Sequence, residues 1–241
     1  MKLLITGGTR GIGRATALGA AAMGWPVTLG YRGNRAAAQD AVAAVHAAGG
    51  QAWAHSADVG DAAQVAALFD AAEAAMGGLD GVVVNAGIVA ATSALADMDT
   101  DRLERVVHTN LTGALFCARE AARRLGRGGA IVLVSSAAAR LGSPGQYVDY
   151  AASKGAIDTL NIGLAKELAA AGIRVNAVRP GVIDTDIHAD GGEPDRAARL
   201  GPSLPLGRAG SADEVAAAIL WLLSDAASYV TGANLDVSGG R

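Results

Sequence analysis

The chain of 241 residues carries a net charge of −3, a pI near 5.8 and a hydrophobic content of 51%. That length can bury a full core without metals or disulfides, and the charge balance supplies no dominant basic field for nucleic acid. A single cysteine, Cys117, excludes both a disulfide framework and a cysteine-based zinc site. Uncharged stretches at 15–31 and 81–96 are interrupted by Gly, Pro or Asn and fall short of the ~20 apolar residues of a membrane span. The chain opens directly on a strand-like run without a signal sequence, so a cytoplasmic protein is expected.

Short runs rich in Val, Ile and Leu alternate with Ala-rich amphipathic stretches along the chain. The first run, residues 2–6, leads into Thr6-Gly7-Gly8-Thr9-Arg10-Gly11-Ile12-Gly13 and a helical pattern at 11–23. Glycines between a strand and a helix permit a tight turn, let backbone approach a pyrophosphate and aim a positive helix end at it. A P-loop is excluded, because Arg14-Ala15 stands where Lys and Ser or Thr would be needed.

A second strand at 27–30 ends in Tyr31-Arg32, where dinucleotide sites usually place an acid for the ribose 2′-hydroxyl. The first acidic residue of the chain is Asp40, preceded by Lys2, Arg10, Arg14, Arg32 and Arg35. Guanidinium groups converging there suit a 2′-phosphate, through paired charge-assisted hydrogen bonds. NADP(H) is therefore expected in preference to NAD(H).

Helices at 35–48 and 61–76 flank a strand at 51–55, and a fourth strand at 81–84 precedes Asn85-Ala86-Gly87. A helical pattern at 101–125 contains Asn110 within an apolar-faced stretch. Inside a helix an Asn side chain competes for backbone groups, so a water-binding kink or simple exposure has to account for it. Cys117, on the same pattern, reads as core packing.

After a strand at 130–134 come Ser135 and Ser136, and a helix at 148–170 carries Tyr150 and Lys154 four apart on one face. A fixed cation favours a phenolate and lowers the tyrosine pKa from about 10. Tyr150 can then exchange a proton with an alkoxide or an alcohol.

Beyond a strand at 174–178, the segment 181–210 is rich in Gly, Pro and charge and has little periodicity. It reads as a structureless functional loop, a substrate lid at about 182–206. A helix at 213–223 and a strand at 233–236 end the chain. His108 and His188 lack partners at ligand spacing, so no metal site is expected.

This alternation predicts an α/β protein of one domain, residues 1–241. The expected architecture is a Rossmann fold, with a doubly wound seven-stranded parallel sheet and helices on both faces. Strands that read as continuous apolar runs fit a sheet covered on both sides.

The combined pattern resembles the short-chain dehydrogenase/reductase family over essentially the whole chain. The residues that carry the likeness are Thr6-Gly7-x3-Gly11-x-Gly13, Asp58-Val59, Asn85-Ala86-Gly87, Asn110, Ser135-Ser136, Tyr150-x3-Lys154, Arg179-Pro180-Gly181 and Ser238-Gly239-Gly240. The resemblance implies that Tyr150 is the general acid–base, and that Lys154 lowers its pKa and bonds the nicotinamide ribose. It implies that Ser136 bonds the substrate oxygen, with Ser135 the second candidate, and that Asn110 holds a water in a proton relay.

It further implies cofactor contacts from Gly7, Thr9, Arg10, Gly11, Ile12 and Gly13, and from Tyr31, Arg32 and Asn34 after the second strand. Asp58 and Val59 would meet the adenine, and Asn85, Ala86 and Gly87 its ribose. Pro180, Gly181, Ile183 and Thr185 would border the nicotinamide. Two departures stand out. Val84 replaces the first of two asparagines, which puts local hydrogen bonds in doubt, and Ser136 lies fourteen residues before Tyr150, one more than is common in the family.

The expected activity is reversible hydride transfer between NADP(H) and a carbonyl or secondary alcohol, by a homotetramer paired through the helices at 101–125 and 148–170. The likeness runs to the sugar-dehydrogenase and oxoacyl-reductase branches without choosing between them, so the small-molecule substrate stays open. Its specificity is expected at 88–97, 140–148 and 182–206. Arg123, Arg124 and Arg127 read either as an entrance for an acidic carrier or as helix C-terminal cations. A catalytically silent dinucleotide sensor and a methyltransferase on a similar sheet are the alternatives.

Overall fold

The computed structural model describes all 241 residues. Its strands are β1 (Leu3–Thr6), β2 (Val27–Tyr31), β3 (Ala52–Ser56), β4 (Gly81–Val84), β5 (Ala130–Val134), β6 (Arg174–Pro180), β7 (Ile183–Asp184), β8 (Gly210–Ser211) and β9 (Asn234–Val237). Seven of them form one parallel sheet in the order β3-β2-β1-β4-β5-β6-β9, as the sequence predicts. The helices are α1 (Gly11–Ala22), α2 (Arg35–Ala47), α3 (Ala62–Met76), α4 (Thr100–Val107), α5 (Gly113–Arg124), α6 (Ala138–Leu141), α7 (Val148–Leu168), α8 (Ile187–Asp190), α9 (Arg196–Leu200) and α10 (Ala212–Leu223). None is long and apolar enough to cross a membrane.

Successive strand residues feed opposite layers, as the two-residue period of a strand requires. Leu3 and Ile5 pack with Ala17, Ala20 and Ile219 of α1 and α10, whereas Leu4 joins Leu68 and Phe69 of α3, Ala118 of α5 and Ile157 of α7. With both faces covered, the central strands are apolar at nearly every position. The edge strand β3 departs from that expectation: only Ala52 is buried, and Trp53 is exposed.

Strand order reverses between β1 and β4, which opens a crevice beyond their C-terminal ends, the usual place for a ligand on such a sheet. The helix ends are prepared unequally there. Asn34, Asp61, Asp99 and Ser211 cap α2, α3, α4 and α10 by accepting first-turn N–H groups, but Arg10 at the start of α1 makes no such bond. The first-turn donors of α1 therefore keep their capacity for an anion.

Two expectations are corrected. The helix predicted at 101–125 is split into α4 and α5 by a π turn at His108–Thr112. Asn110 sits in that turn almost fully buried, with Oδ1 accepting from Ile88 N (2.8 Å) and Nδ2 donating to Ile88 O (2.9 Å). Simple exposure is thus excluded, and the break falls at the residue that called for one. Likewise the segment 181–210 is not structureless. β7 pairs with β8, α8 and α9 lie between them, and Val182, Ala197 and Leu204 form a small core.

Candidate active site

The loop after β1 is fixed from the next strand. Asn85 Nδ2 donates to Thr6 O (2.9 Å) and Gly7 O (3.0 Å), while Thr6 Oγ1 accepts from the N–H groups of Asn85 (3.0 Å) and Ala86 (3.1 Å). Val84 is buried core, and the bonds to the loop come from the single asparagine, Asn85. Gly13 is dictated by space: a Cβ there would lie 2.3 Å from Gly7 O and 2.8 Å from Asn85 Nδ2. It packs beneath the loop and does not reach the cleft.

The cleft beyond β1, β2 and β4 is lined by Gly7, Thr9, Arg10, Gly11, Ile12, Tyr31, Arg32 and Asn34. Asp58, Val59, Asn85, Ala86, Gly87 and Thr185 complete the expected set on its wall. Sequence reasoning missed Gly33, Ala37, Thr109 and Asp186, which share that wall and lack any motif of their own. The Asn34 side chain is turned to Ala37 N as the α2 cap (3.0 Å), and the Asp58 carboxylate accepts from Gly60 N (2.9 Å).

Of the basic cluster, Arg14 and Arg35 lie outside the cleft wall, leaving Arg10 and Arg32. Arg32 has no side-chain partner. Arg10 is ion-paired with Asp190 of α8, a contact that raises its already high pKa and joins the glycine loop to the 181–210 segment.

An adjoining cleft shares Ile12, Asn85, Gly87, Thr185 and Ile187 with the first. It brings together Ser135, Ser136, Tyr150, Lys154, Pro180, Gly181 and Ile183. The two serines differ. Ser135 is buried and its hydroxyl donates to Lys154 O (3.1 Å), whereas the Ser136 hydroxyl accepts from Ala138 N (3.1 Å) on the wall that Tyr150 shares.

Lys154 Nζ donates to Val134 O (2.7 Å) and lies 5.6 Å from the Tyr150 ring centroid. Burial pushes that ammonium down to about 8. Desolvation pushes the Tyr150 phenol up to about 12, with the Ser136 hydroxyl opposing it. The neighbouring cation does not offset this burial, because the ammonium is turned to the Val134 carbonyl.

Asn110 lines neither cleft, yet it stands behind both. A Cβ on Gly87 would lie 3.3 Å from Asn110 Oδ1 and 3.5 Å from Lys154 Nζ, so a side chain there would press on that junction. Leu141, Tyr147, His188 and Arg196, on the expected specificity segments, line the second cleft, and His188 Nε2 is bonded to Ile183 O (2.9 Å). Ser143 adopts a left-handed φ of 47° on that wall, where the loop preceding Tyr150 is one residue longer. Arg241 also lines it and carried no sequence signal. Cys117 is buried and its thiol is pushed up to about 12, consistent with packing alone.

This arrangement can bind a dinucleotide and present two hydroxyls and an ammonium beside it. A family model described as enoyl-(acyl carrier protein) reductase matches residues 7–241. A crystal structure of a short chain dehydrogenase from Burkholderia cenocepacia J2315 in complex with NADP superposes with a TM-score of 0.92 at 35% identity, covering 99% of this chain and 96% of that one.

The chain belongs to the short-chain dehydrogenase/reductase family.

Short-chain dehydrogenase/reductase relatives span its full length. An uncharacterised oxidoreductase of Escherichia coli (strain K12), YgfF, is 53% identical across 99% of this chain and 98% of its own. The L-rhamnose 1-dehydrogenase (NAD(P)(+)) of Azotobacter vinelandii is 42% identical across 99% and 95%. The protein is thus an oxidoreductase of the short-chain dehydrogenase/reductase family, and the methyltransferase alternative falls. Two of the three arginines read as a carrier entrance or as helix C-terminal cations are ion-paired at the end of α5. Arg124 is bonded to Asp70 (2.6 Å), Glu73 (2.7 Å) and Glu120, Arg123 to Glu120 (3.0 Å), and neither lines the clefts.

Proposed function

We propose that the protein interconverts a carbonyl compound and a secondary alcohol with NADP(H), using Tyr150 as general acid–base. The observation that carries this reading is the convergence of Ser136, Tyr150 and Lys154 on one cleft continuous with the glycine loop, with the Lys154 ammonium 5.6 Å from the Tyr150 ring centroid. The residues present fit a dinucleotide: an uncapped helix start for its phosphates, a junction at Gly87 that no side chain fills, and Arg32 without a partner. When bound, the nicotinamide supplies or accepts the hydride.

The protein's own groups handle the proton and the geometry. Tyr150 Oη gives its proton to the developing alkoxide, and Ser136 Oγ orients the substrate oxygen. Lys154 presents its ammonium to the ribose, and Asn110, in the π turn, holds the relay open toward Lys154. The 182–206 segment acts as the lid. Assembly into a homotetramer through α4, α5 and α7 belongs to the same reading, supported by the exposed Val107, Leu115 and Ile162 on their outer faces. The reading is tested by following NADPH oxidation against sugars, diketones, steroids and acyl thioesters.

Arg32 is assigned to the 2′-phosphate. Arg32→Gln is expected to lower the NADPH-over-NADH preference in kcat/KM by roughly 10–100-fold, the effect of one lost hydrogen bond to a charged group. An unchanged ratio would refute the assignment.

The pH profile follows from the two directions. Below about 8 Lys154 is an ammonium, and Tyr150 keeps its proton to about 12. The kcat/KM for carbonyl reduction should fall as pH rises through about 8, on loss of the Lys154 charge. Lys154→Arg, which stays protonated, should abolish that limb.

A further inference from the structure

We propose that Arg196, on α9 of the 181–210 segment, is a positioning residue for Tyr150 and acts through the ring of Tyr147. This rests on the reading of Tyr150 as general acid–base and adds a residue from a different part of the chain to that machinery.

Four side chains on the wall of the second cleft form an unbroken chain of contacts. The Arg196 guanidinium lies 5.1 Å from the Tyr147 ring centroid. The Tyr147 and Tyr150 centroids are 5.8 Å apart, with their planes at 87°, and Lys154 Nζ lies 5.6 Å from the Tyr150 centroid. Edge-on pairing of rings and the approach of a cation to a ring are both attractive contacts with a preferred geometry. Lys154 meets the Tyr150 ring from one turn further along α7, whereas Tyr147 meets it from the residue that begins the helix.

That beginning needs an outside hold. Tyr147 stands at the N-cap of α7 with φ −153° and ψ 67°, and its side chain accepts no first-turn N–H. The loop leading to it contains the left-handed Ser143. Arg196 supplies the hold. It is buried, and its Nη2 donates to Gln146 Oε1 (2.6 Å), so one guanidinium engages both residues that precede α7. Its Nη1 donates to Glu193 (3.1 Å), which ties the group back to its own segment.

Arginine is the residue this requires. A planar guanidinium can donate from its edge while it lies over a ring, and an ammonium has no such face. Glu193 is also bonded to Arg199, so replacing Arg196 leaves that carboxylate with a partner. A shift of Arg196 is passed to Tyr147 and from there to the Tyr150 phenol, where proton transfer depends on sub-ångström placement.

The test follows single-turnover NADPH oxidation with 2,3-hexanedione, or with the best carbonyl substrate of the panel, together with substrate KM and NADPH affinity. Arg196→Lys keeps a cation and loses the fork. It should slow the single turnover roughly 10–100-fold while substrate KM and NADPH affinity stay within about threefold of the wild type. Tyr147→Leu should lose a similar amount and Tyr147→Phe, which keeps the ring, less. The double variant Arg196→Lys/Tyr147→Leu should be no slower than Tyr147→Leu, because both changes act through one ring. Gln146→Leu removes an acceptor of Arg196 without changing charge; it should give a smaller loss of the same kind, and it serves if Arg196→Lys does not fold. An unchanged single-turnover rate, a loss confined to substrate KM, or losses that multiply in the double variant would overturn the inference and leave the oxidoreductase reading intact. A wild type that oxidises NADPH against no carbonyl compound would overturn both.

Discussion

Tyr150→Phe should lower the rate of carbonyl reduction by roughly 10²–10⁴-fold, the range for removing a positioned general acid. The substitution takes away one oxygen and leaves the ring, its edge contact with Tyr147 and the Lys154 ammonium in place. Nucleotide binding, followed by quenching of the intrinsic tryptophan fluorescence, should therefore survive. The phenol is pushed up to about 12 and so keeps its proton throughout the neutral range, as a proton donor must. Single-turnover measurements with NADPH separate the chemical step from product release. Turnover retained in the variant would move the acid–base role elsewhere. A wild type that binds NADPH but oxidises none of it against a broad carbonyl panel would instead favour the silent sensor.

The largest effect on stability is expected away from the reacting atoms. Arg102 of α4 and Asp149 of α7 are buried and joined by two bonds, Nε to Oδ2 (2.9 Å) and Nη2 to Oδ1 (3.2 Å). A third donor, Nη1, reaches Ala91 O. Removing one partner strands a charge in a medium that solvates it poorly, at a cost of about 3–5 kcal/mol. Arg102→Met should lose that much in urea unfolding, and the double variant Arg102→Met/Asp149→Leu should recover a good part of it. Because Asp149 directly precedes Tyr150, the single variant should also depress turnover. An additive double variant would show that the pair acts as two independent residues.

What the sequence disclosed follows from how local each cause is. The sheet was legible because every central strand is covered on both faces, which writes itself as an apolar run at positions such as Leu3–Thr6 and Ala130–Val134. Asn110 could be flagged because an asparagine within an apolar helical stretch conflicts with its surroundings, and the conflict is resolved by bonds to Ile88.

Other features depend on partners far along the chain. Arg102 reads as one more solvated helix charge until Asp149 folds against it, and spacing alone does not reveal that the Ser135 hydroxyl turns to the Lys154 carbonyl. The 181–210 segment looked featureless because its core needs only Val182, Ala197 and Leu204, too few and too unevenly spaced to make a period. Arg241 carries no local signal at all; its position follows from the pairing of β9 with β6.

The ion pair between Arg10 and Asp190 has a consequence for how salt acts on this protein. Both side chains are about half exposed, so dissolved ions screen their attraction as readily as that of an arriving phosphate. An anion that recruits Arg10 competes with a carboxylate already in place, so the attraction formed at the glycine loop is offset by the one weakened at α8. Added electrolyte weakens the incoming bond and the bond it replaces together. Nucleotide affinity should thus decline with ionic strength less steeply than a tally of basic side chains suggests, and the departure of Asp190 would loosen the neighbouring segment in the same event.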